Sequence, residues 1–270
     1  MCVISPPSKI TVYILKPKKS FGQHFLTNES IAARIAQSLQ SAEAAGRVLE
    51  IGPGQGMLTK YLIEAGYDLR AVEADADMVA YLRQQFPQLE GRLICGSFLR
   101  LDLATLFDGQ PFAIIGNFPY NISSQILFHT LLFRRQVPEL VGMFQREVAD
   151  RVVAPPGSKT YGVISVLVQA YYQGELLFGV NSRQFNPPPK VKSAVIRLTR
   201  RSSFELDCDE KLFRQVVKVT FGQRRKMLRN TLKTFLKGDP LLKDPFFQQR
   251  PERLSVDDFV GLTQEIEKRR

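Results

Sequence analysis

The sequence predicts an α/β protein, with a doubly wound, mostly parallel sheet up to about residue 201 and an all-helical segment over 202–270. Short apolar runs at 48–51, 69–72, 93–95, 112–115 and 140–144 alternate with helical stretches, the pattern of a parallel sheet wound by crossover helices. A glycine-rich turn, Gly52-Pro53-Gly54-Gln55-Gly56, joins the first run to its helix. After Ser202 the strand pattern stops, and residues 211–237 hold nine cations and no acid.

The 270 residues, 44% apolar and 23% charged, suit one large domain or a large and a small one. The charge is the unusual feature. Lys and Arg number 37 against 26 acids, a net +11 that points to a polyanionic partner, most simply nucleic acid. A membrane partner is disfavoured, since no apolar run approaches the ~20 residues of a spanning helix. Cys2, Cys95 and Cys208 lie far apart with no nearby histidine cluster, which argues against a metal site and for reduced thiols in the cytoplasm. Residues 1–15 read as an extension.

In chain order, a basic segment at 16–26 carries Lys18 and Lys19, and Phe21 and Phe25 suggest that it docks. Asn28 or Thr27 can cap the helix that follows, with Ile31, Ile35 and Leu39 at helical spacing. The glycine turn reads GxGxG, and Met57 stands where a dinucleotide fingerprint needs its third glycine. Glu73, at the end of the second strand and about 20 residues past the glycines, suits the hydroxyls of a ribose. Together these predict a nucleoside-containing cofactor, and the spacing weakens an NAD reading. Helices are expected at 77–86, 122–133, 146–153 and 163–172, a strand at 176–180, and a closing strand at 195–198. Ligands bind beyond the carboxyl ends of such strands, where Gly52, Glu73, Ser97 and Asn117 converge.

Asn117-Phe118-Pro119-Tyr120 follows the apolar run 112–115 directly. An amide can accept from and donate to a base edge, aromatic rings offer stacking faces, and Pro119 holds Phe118 extended. The same residues also suit a plain capped turn. Downstream, the proline run 187–189 forms a strut that can present Phe185 beside Lys190 and Lys192, or serve as a linker. The cationic segment 211–237, with Arg224, Arg225, Lys226 and Arg229, reads as phosphate-binding helix.

Five motifs in this order resemble the small-subunit ribosomal RNA adenine N6,N6-dimethyltransferases: Phe21-Gly-Gln-His-Phe-Leu26, Leu49-Glu-Ile-Gly-Pro-Gly-Gln-Gly56, Asn117-Phe-Pro-Tyr120, Phe185-Asn-Pro-Pro-Pro-Lys-Val191 and Phe221-Gly-Gln-Arg-Arg-Lys-Met-Leu-Arg-Asn230. The resemblance implies a Rossmann-like class I methyltransferase domain over 16–201, its last strand antiparallel, and a helical RNA-binding domain over 202–270. It implies S-adenosylmethionine as cofactor, held by Gln23, His24, Leu26, Gly52, Gly54, Glu73 and Asn117. Where the family usually places an acid for the cofactor's adenine, this chain has Ser97, which implies weaker binding. The substrate implied is 16S rRNA in the immature small subunit, dimethylated at two adjacent adenines of its 3′-terminal hairpin loop by a cytoplasmic monomer.

By this resemblance Asn117 and Phe118 accept from the target amino group, and Tyr120 and Phe185 sandwich the base. Lys18, Lys19, Lys190, Lys192, Arg224, Arg225, Lys226 and Arg229 grip the RNA backbone. Two rivals stay open, a single-target large-subunit rRNA adenine methylase and an assembly factor that uses the fold as a scaffold.

Overall fold

The computed structural model describes residues 17–18 and 21–270. The expected extension 1–15 and the expected RNA contact Lys19 lie outside the described residues. Seven strands form the sheet: β1 (Arg47–Ile51), β2 (Asp68–Glu73), β3 (Leu93–Cys95), β4 (Ala113–Asn117), β5 (Glu139–Gln145), β6 (Tyr172–Val180) and β7 (Ser193–Arg200). Their spatial order is β3-β2-β1-β4-β5-β7-β6. The pairs among β1 to β5 are parallel, while β7 runs antiparallel to both β5 and β6. The chain moves outward from β1 to β3, then returns to lay β4 against the other side of β1. That reversal opens a crevice beyond Ile51 and Asn117.

Alternation along the strands sorts side chains between two faces. Val48, Ile115, Val141, Met143 and Val195 pack with α1 (Glu29–Ala36) and α2 (Thr59–Glu64). Leu49, Ile51, Ile114, Leu140, Phe144 and Ile196 pack on the other side with α4 (Ser123–Leu132), α5 (Arg146–Val152) and α6 (Val163–Gln169). The remaining helix of the sheet region, α3 (Ala76–Gln85), is capped by Asp75. Asn28 caps α1, its side chain accepting from the Ile31 N–H.

The helical segment comprises α7 (Glu210–Gly222), α8 (Leu228–Thr231) and α9 (Val256–Glu267). Asp209 caps α7, and a Ser255/Asp258 capping box opens α9. Leu212, Phe213, Val216 and Val217 of α7 are fully buried, each contributing roughly 1.5–3 kcal/mol. With Leu228, Phe259 and Ile266 they join the same core cluster as α4 to α6, so this segment extends the sheet's core.

Several expectations need correcting. The last strand does not close the sheet; β7 slots between β5 and β6, which leaves β6 at the edge. The expected helix over 163–172 stops at Gln169, and β6 begins at Tyr172, whose hydroxyl donates to the Val137 carbonyl at 2.7 Å. Phe25–Leu26 pairs antiparallel with Phe185–Asn186, a two-residue ladder too short to leave a periodic signal. Arg224, Arg225 and Lys226 lie in the turn between α7 and α8 rather than on a helix, because α7 ends at Gly222.

Candidate active site

The crevice holds a cavity of about 300 Å³, reached by the ends of β1, β2 and β4. Its floor is the glycine turn. Gly52 has φ +65°, a conformation side chains resist, and it leaves the backbone open toward Pro119. Gly56 serves packing instead, since a Cβ there would meet the Phe86 ring at 2.2 Å.

The wall is acidic, although the protein as a whole is basic. Glu73 is 6% exposed, and its carboxylate accepts from the Gly54 N–H at 3.2 Å and the Asp75 N–H at 2.8 Å. Burial pushes its pKa up, opposed by those backbone donors. Glu50 is 1% exposed beneath the cavity and accepts from the Thr59 hydroxyl at 2.7 Å. Burial lifts it to about 8, with the Glu73 charge adding to the shift. Sequence reasoning passed over Glu50, although an acid inside the apolar run 48–51 was the available signal.

A strap, Phe21 to Leu26, crosses the opening. The Lys18 ammonium donates to Asp75 and Asp77, both at 2.6 Å, and Gln23 donates to Asp75 at 3.0 Å. Burial alone would raise the Asp75 carboxyl, but Lys18, Gln23 and the Asp77 N–H outweigh it and hold the carboxyl below its ordinary value. Lys18, expected on the RNA, is therefore spent as a latch. The backbone carbonyl of His24 accepts from Asn117 Nδ2 at 3.0 Å, and its ring Nδ1 lies 2.8 Å from the Pro187 carbonyl. Gln23, His24, Leu26, Gly52, Gly54, Glu73, Ser97 and Asn117 all line this cavity. Ser97 is exposed and makes no side-chain hydrogen bond among the described residues.

The Asn117 amide is orientated by that bond to His24, which leaves Oδ1 as an acceptor. The Phe118 carbonyl accepts no hydrogen bond among the described residues. Its ring does something unexpected. It is 1% exposed, packs edge-to-face on Phe144 at 5.1 Å, and offers no stacking surface. Tyr120 is half-buried, with its hydroxyl 2.5 Å from Ser193 Oγ and its ring stacked on His24 at 5.5 Å and 27°. Phe185, expected as the opposite wall, is 4% exposed and buried with Leu26, Val180 and Val195. Its ladder with the strap pulls it into the core, so it has no open face in this arrangement.

Of the remaining cations, Lys190, Lys192, Arg225, Lys226 and Arg229 are exposed. Arg224 is engaged within the protein, donating to the carbonyls of Lys159 at 2.7 Å and Ser158 at 3.1 Å. Among the described residues no cluster of His, Cys, Asp and Glu could hold a metal ion, and no helix is long and apolar enough to cross a membrane.

Comparison with known proteins shows the family and the fold. A protein of Parabacteroides distasonis named ribosomal RNA small subunit methyltransferase A is 56% identical over 251 residues, 93% of this chain and 94% of that protein. One of the same name from Flavobacterium johnsoniae is 53% identical, covering 94% of this chain and 97% of its own length. Among solved structures, a dimethyladenosine transferase from Plasmodium falciparum superposes with a TM-score of 0.76 at 25% identity, over 91% of this chain and 98% of that one. The 23S rRNA methyltransferase ErmE superposes at 0.61, also 25% identical, over 89% and 99%. The family model for ribosomal RNA adenine dimethylases matches residues 14–258, which takes in the strap, the glycine turn and the Asn117 loop alike. By its sequence and its fold, the chain belongs to the ribosomal RNA adenine dimethylase family.

Proposed function

We propose that this protein transfers methyl groups from S-adenosylmethionine to N6 of two adjacent adenines in the 3′-terminal hairpin loop of 16S rRNA, within the immature small subunit. One observation carries the reading. The Asn117 amide is orientated by His24, so that Oδ1 remains an acceptor at the edge of an acid-lined cavity.

The cavity fits the cofactor. Its volume suits a nucleoside-sized ligand, and Glu73 is held ready to accept from a ribose. The Glu73 carboxylate, and Glu50 once it ionises, favour a ligand that carries positive charge. When bound, S-adenosylmethionine supplies an electrophilic methyl on a sulfonium. The protein's part is positioning. An adenine N6 is a poor nucleophile because its lone pair is delocalised into the ring. Accepting its two protons' hydrogen bonds at Asn117 Oδ1 and the Phe118 carbonyl draws the nitrogen toward tetrahedral geometry and frees the lone pair. Tyr120 gives the extruded base a stacking surface worth ~1–3 kcal/mol, offsetting the cost of leaving its stack in the loop. Transfer of labelled methyl to undermethylated small subunits, with large subunits as the control, tests this. Labelling of large subunits alone would replace it with the single-target reading.

Two expected results follow from the charges. Glu50 holds its proton until about pH 8, so its contribution to stability is present below its unfolded value and lost as pH rises through 8. A cationic ligand favours the ionised form, so its binding tightens over the same window. The rise in melting temperature that S-adenosylmethionine produces should therefore be larger at pH 8.5 than at 6.5, and Glu50→Gln should flatten the difference. An equal shift at both values in the unmodified protein would remove Glu50 from the site.

Exposed cations should set the salt dependence of rRNA binding. Replacing Arg225, Lys226 and Arg229 together with alanine should reduce the slope of log K against log salt by about 2–3. Arg224→Ala should barely change it, and should instead cost about 1 kcal/mol of stability through the lost bonds to Ser158 and Lys159. Equal slopes for the triple variant and the parent protein would exclude that turn from the interface.

A further inference from the structure

Ser193 opens β7 at a position where the core could take alanine. It is 1% exposed and is followed by buried Ala194, Val195 and Ile196. Buried hydroxyls are kept where they have a partner. The partner here is the Tyr120 hydroxyl at 2.5 Å, on a loop 73 positions away in the chain. The two ends of that bond differ in rigidity. Ser193 is paired on both sides, with Gln145 of β5 and Val180 of β6, so its backbone is fixed by two ladders. Tyr120 sits in the loop after β4, where rotation about its Cα–Cβ bond would swing the ring between rotamers if nothing held its tip. One side of the ring is already restrained by His24, itself held at the Pro187 carbonyl. The phenol is therefore an anchor point, and burial pushes its pKa above the ordinary value, so it stays neutral while it anchors.

We propose that Ser193 is a positioning residue that acts through Tyr120. Its hydroxyl fixes the tip of the ring, and the position of the ring decides where the extruded adenine stacks and how its N6 meets Asn117 and Phe118. This rests on the base-binding reading of Tyr120 given above. The same strand follows the proline run, so the tether, with the His24–Pro187 contact, also links that run to the Asn117 loop.

The test is a double-mutant cycle on the intact protein. Ser193→Ala and Tyr120→Phe remove the same bond from opposite ends, and Tyr120→Phe leaves the ring and its packing in place. Each should lower kcat with saturating small subunits about tenfold, leaving KM and the Kd for S-adenosylmethionine within about twofold. The double variant should be no slower than either single one. With 2-aminopurine at the target position, stacking on a fixed ring quenches the probe, and both single variants should lengthen its lifetime equally. Multiplying losses in the double variant, or an unchanged kcat and lifetime in Ser193→Ala, would overturn the proposal. Tyr120→Ala separates the two levels of the claim. If it retains full transfer, the base-binding reading itself fails. If it abolishes transfer while Ser193→Ala matches the unmodified protein, the tether alone fails.

Discussion

Replacing Asn117 with alanine should lower methyl transfer about 10³-fold while weakening S-adenosylmethionine binding no more than about tenfold. The two magnitudes come from the two ends of one amide. In the proposed mechanism Oδ1 accepts from the target amino group, and removing a preorganised hydrogen-bonding group of this kind costs about 10²–10³ in rate. Loss of the Phe118 carbonyl's alignment beside it adds to that. Nδ2 holds the strap through the His24 carbonyl, a neutral bond worth about 0.5–1.5 kcal/mol, which caps the loss in cofactor affinity. Asn117→Asp refines the test. It keeps an acceptor of the same shape but sets a carboxylate oxygen against the His24 carbonyl, where a donor is needed. Its cofactor affinity should therefore fall below that of the alanine variant. Transfer of tritiated methyl and calorimetric binding measure the two quantities separately. An alanine variant with more than about a tenth of normal turnover would sink the acceptor role.

What could be read in the sequence was local. The GxGxG spacing, with Met57 where a dinucleotide fold needs glycine, pointed away from NAD within eight residues of chain. Glu73 was found because the end of a second strand is a fixed distance on. Residue type offered Asn28 or Thr27 as the α1 cap, and Asn28 takes the role. The antiparallel β7 came only with the resemblance, since an apolar run has no direction. Its place between β5 and β6 depends on a long return of the chain that periodicity does not encode.

The misplaced residues share one cause: partners far away in the chain. Lys18 reads as a free cation until Asp75 and Asp77 are folded beside it. Phe185 reads as a presented ring until its neighbour in the ladder, Leu26, draws it into the core. Arg224 sits in a cationic triplet but spends its guanidinium on two carbonyls more than sixty positions earlier. Gly222 did carry a local signal, because glycine is a poor helix former, and α7 ends there just before the turn that holds Arg224 to Lys226. Glu50 shows the reverse case, a local anomaly whose meaning required the cavity above it.

Gly142 carries the second large prediction, and nothing in its own neighbourhood announces it. It lies in the middle of β5, paired with Gly116 of β4, and together they form the slot that receives the Phe118 ring. A Cβ on Gly142 would come within 2.1 Å of the ring, and one on Gly116 within 2.6 Å of the Ile51 carbonyl. Neither strand can step aside, since each is paired on both sides, so the ring must yield. Gly142→Ala should cost about 1–3 kcal/mol or more from overpacking, a fall of roughly 2–12 °C in melting temperature. The effect on rate should be larger than stability accounts for. Phe118 is covalently next to Asn117, and a ring displaced by an ångström carries its carbonyl with it, a misplacement that can cost about 10²-fold. Adding Phe118→Leu separates the two effects. The smaller side chain should relieve the clash and restore much of the melting temperature, while transfer stays depressed because no ring fixes the loop. If Gly142→Ala melts and turns over like the unmodified protein, the ring does not occupy this slot. If the double variant recovers both properties together, packing in the slot sets stability alone and the acceptor carbonyl is placed by Pro119 instead.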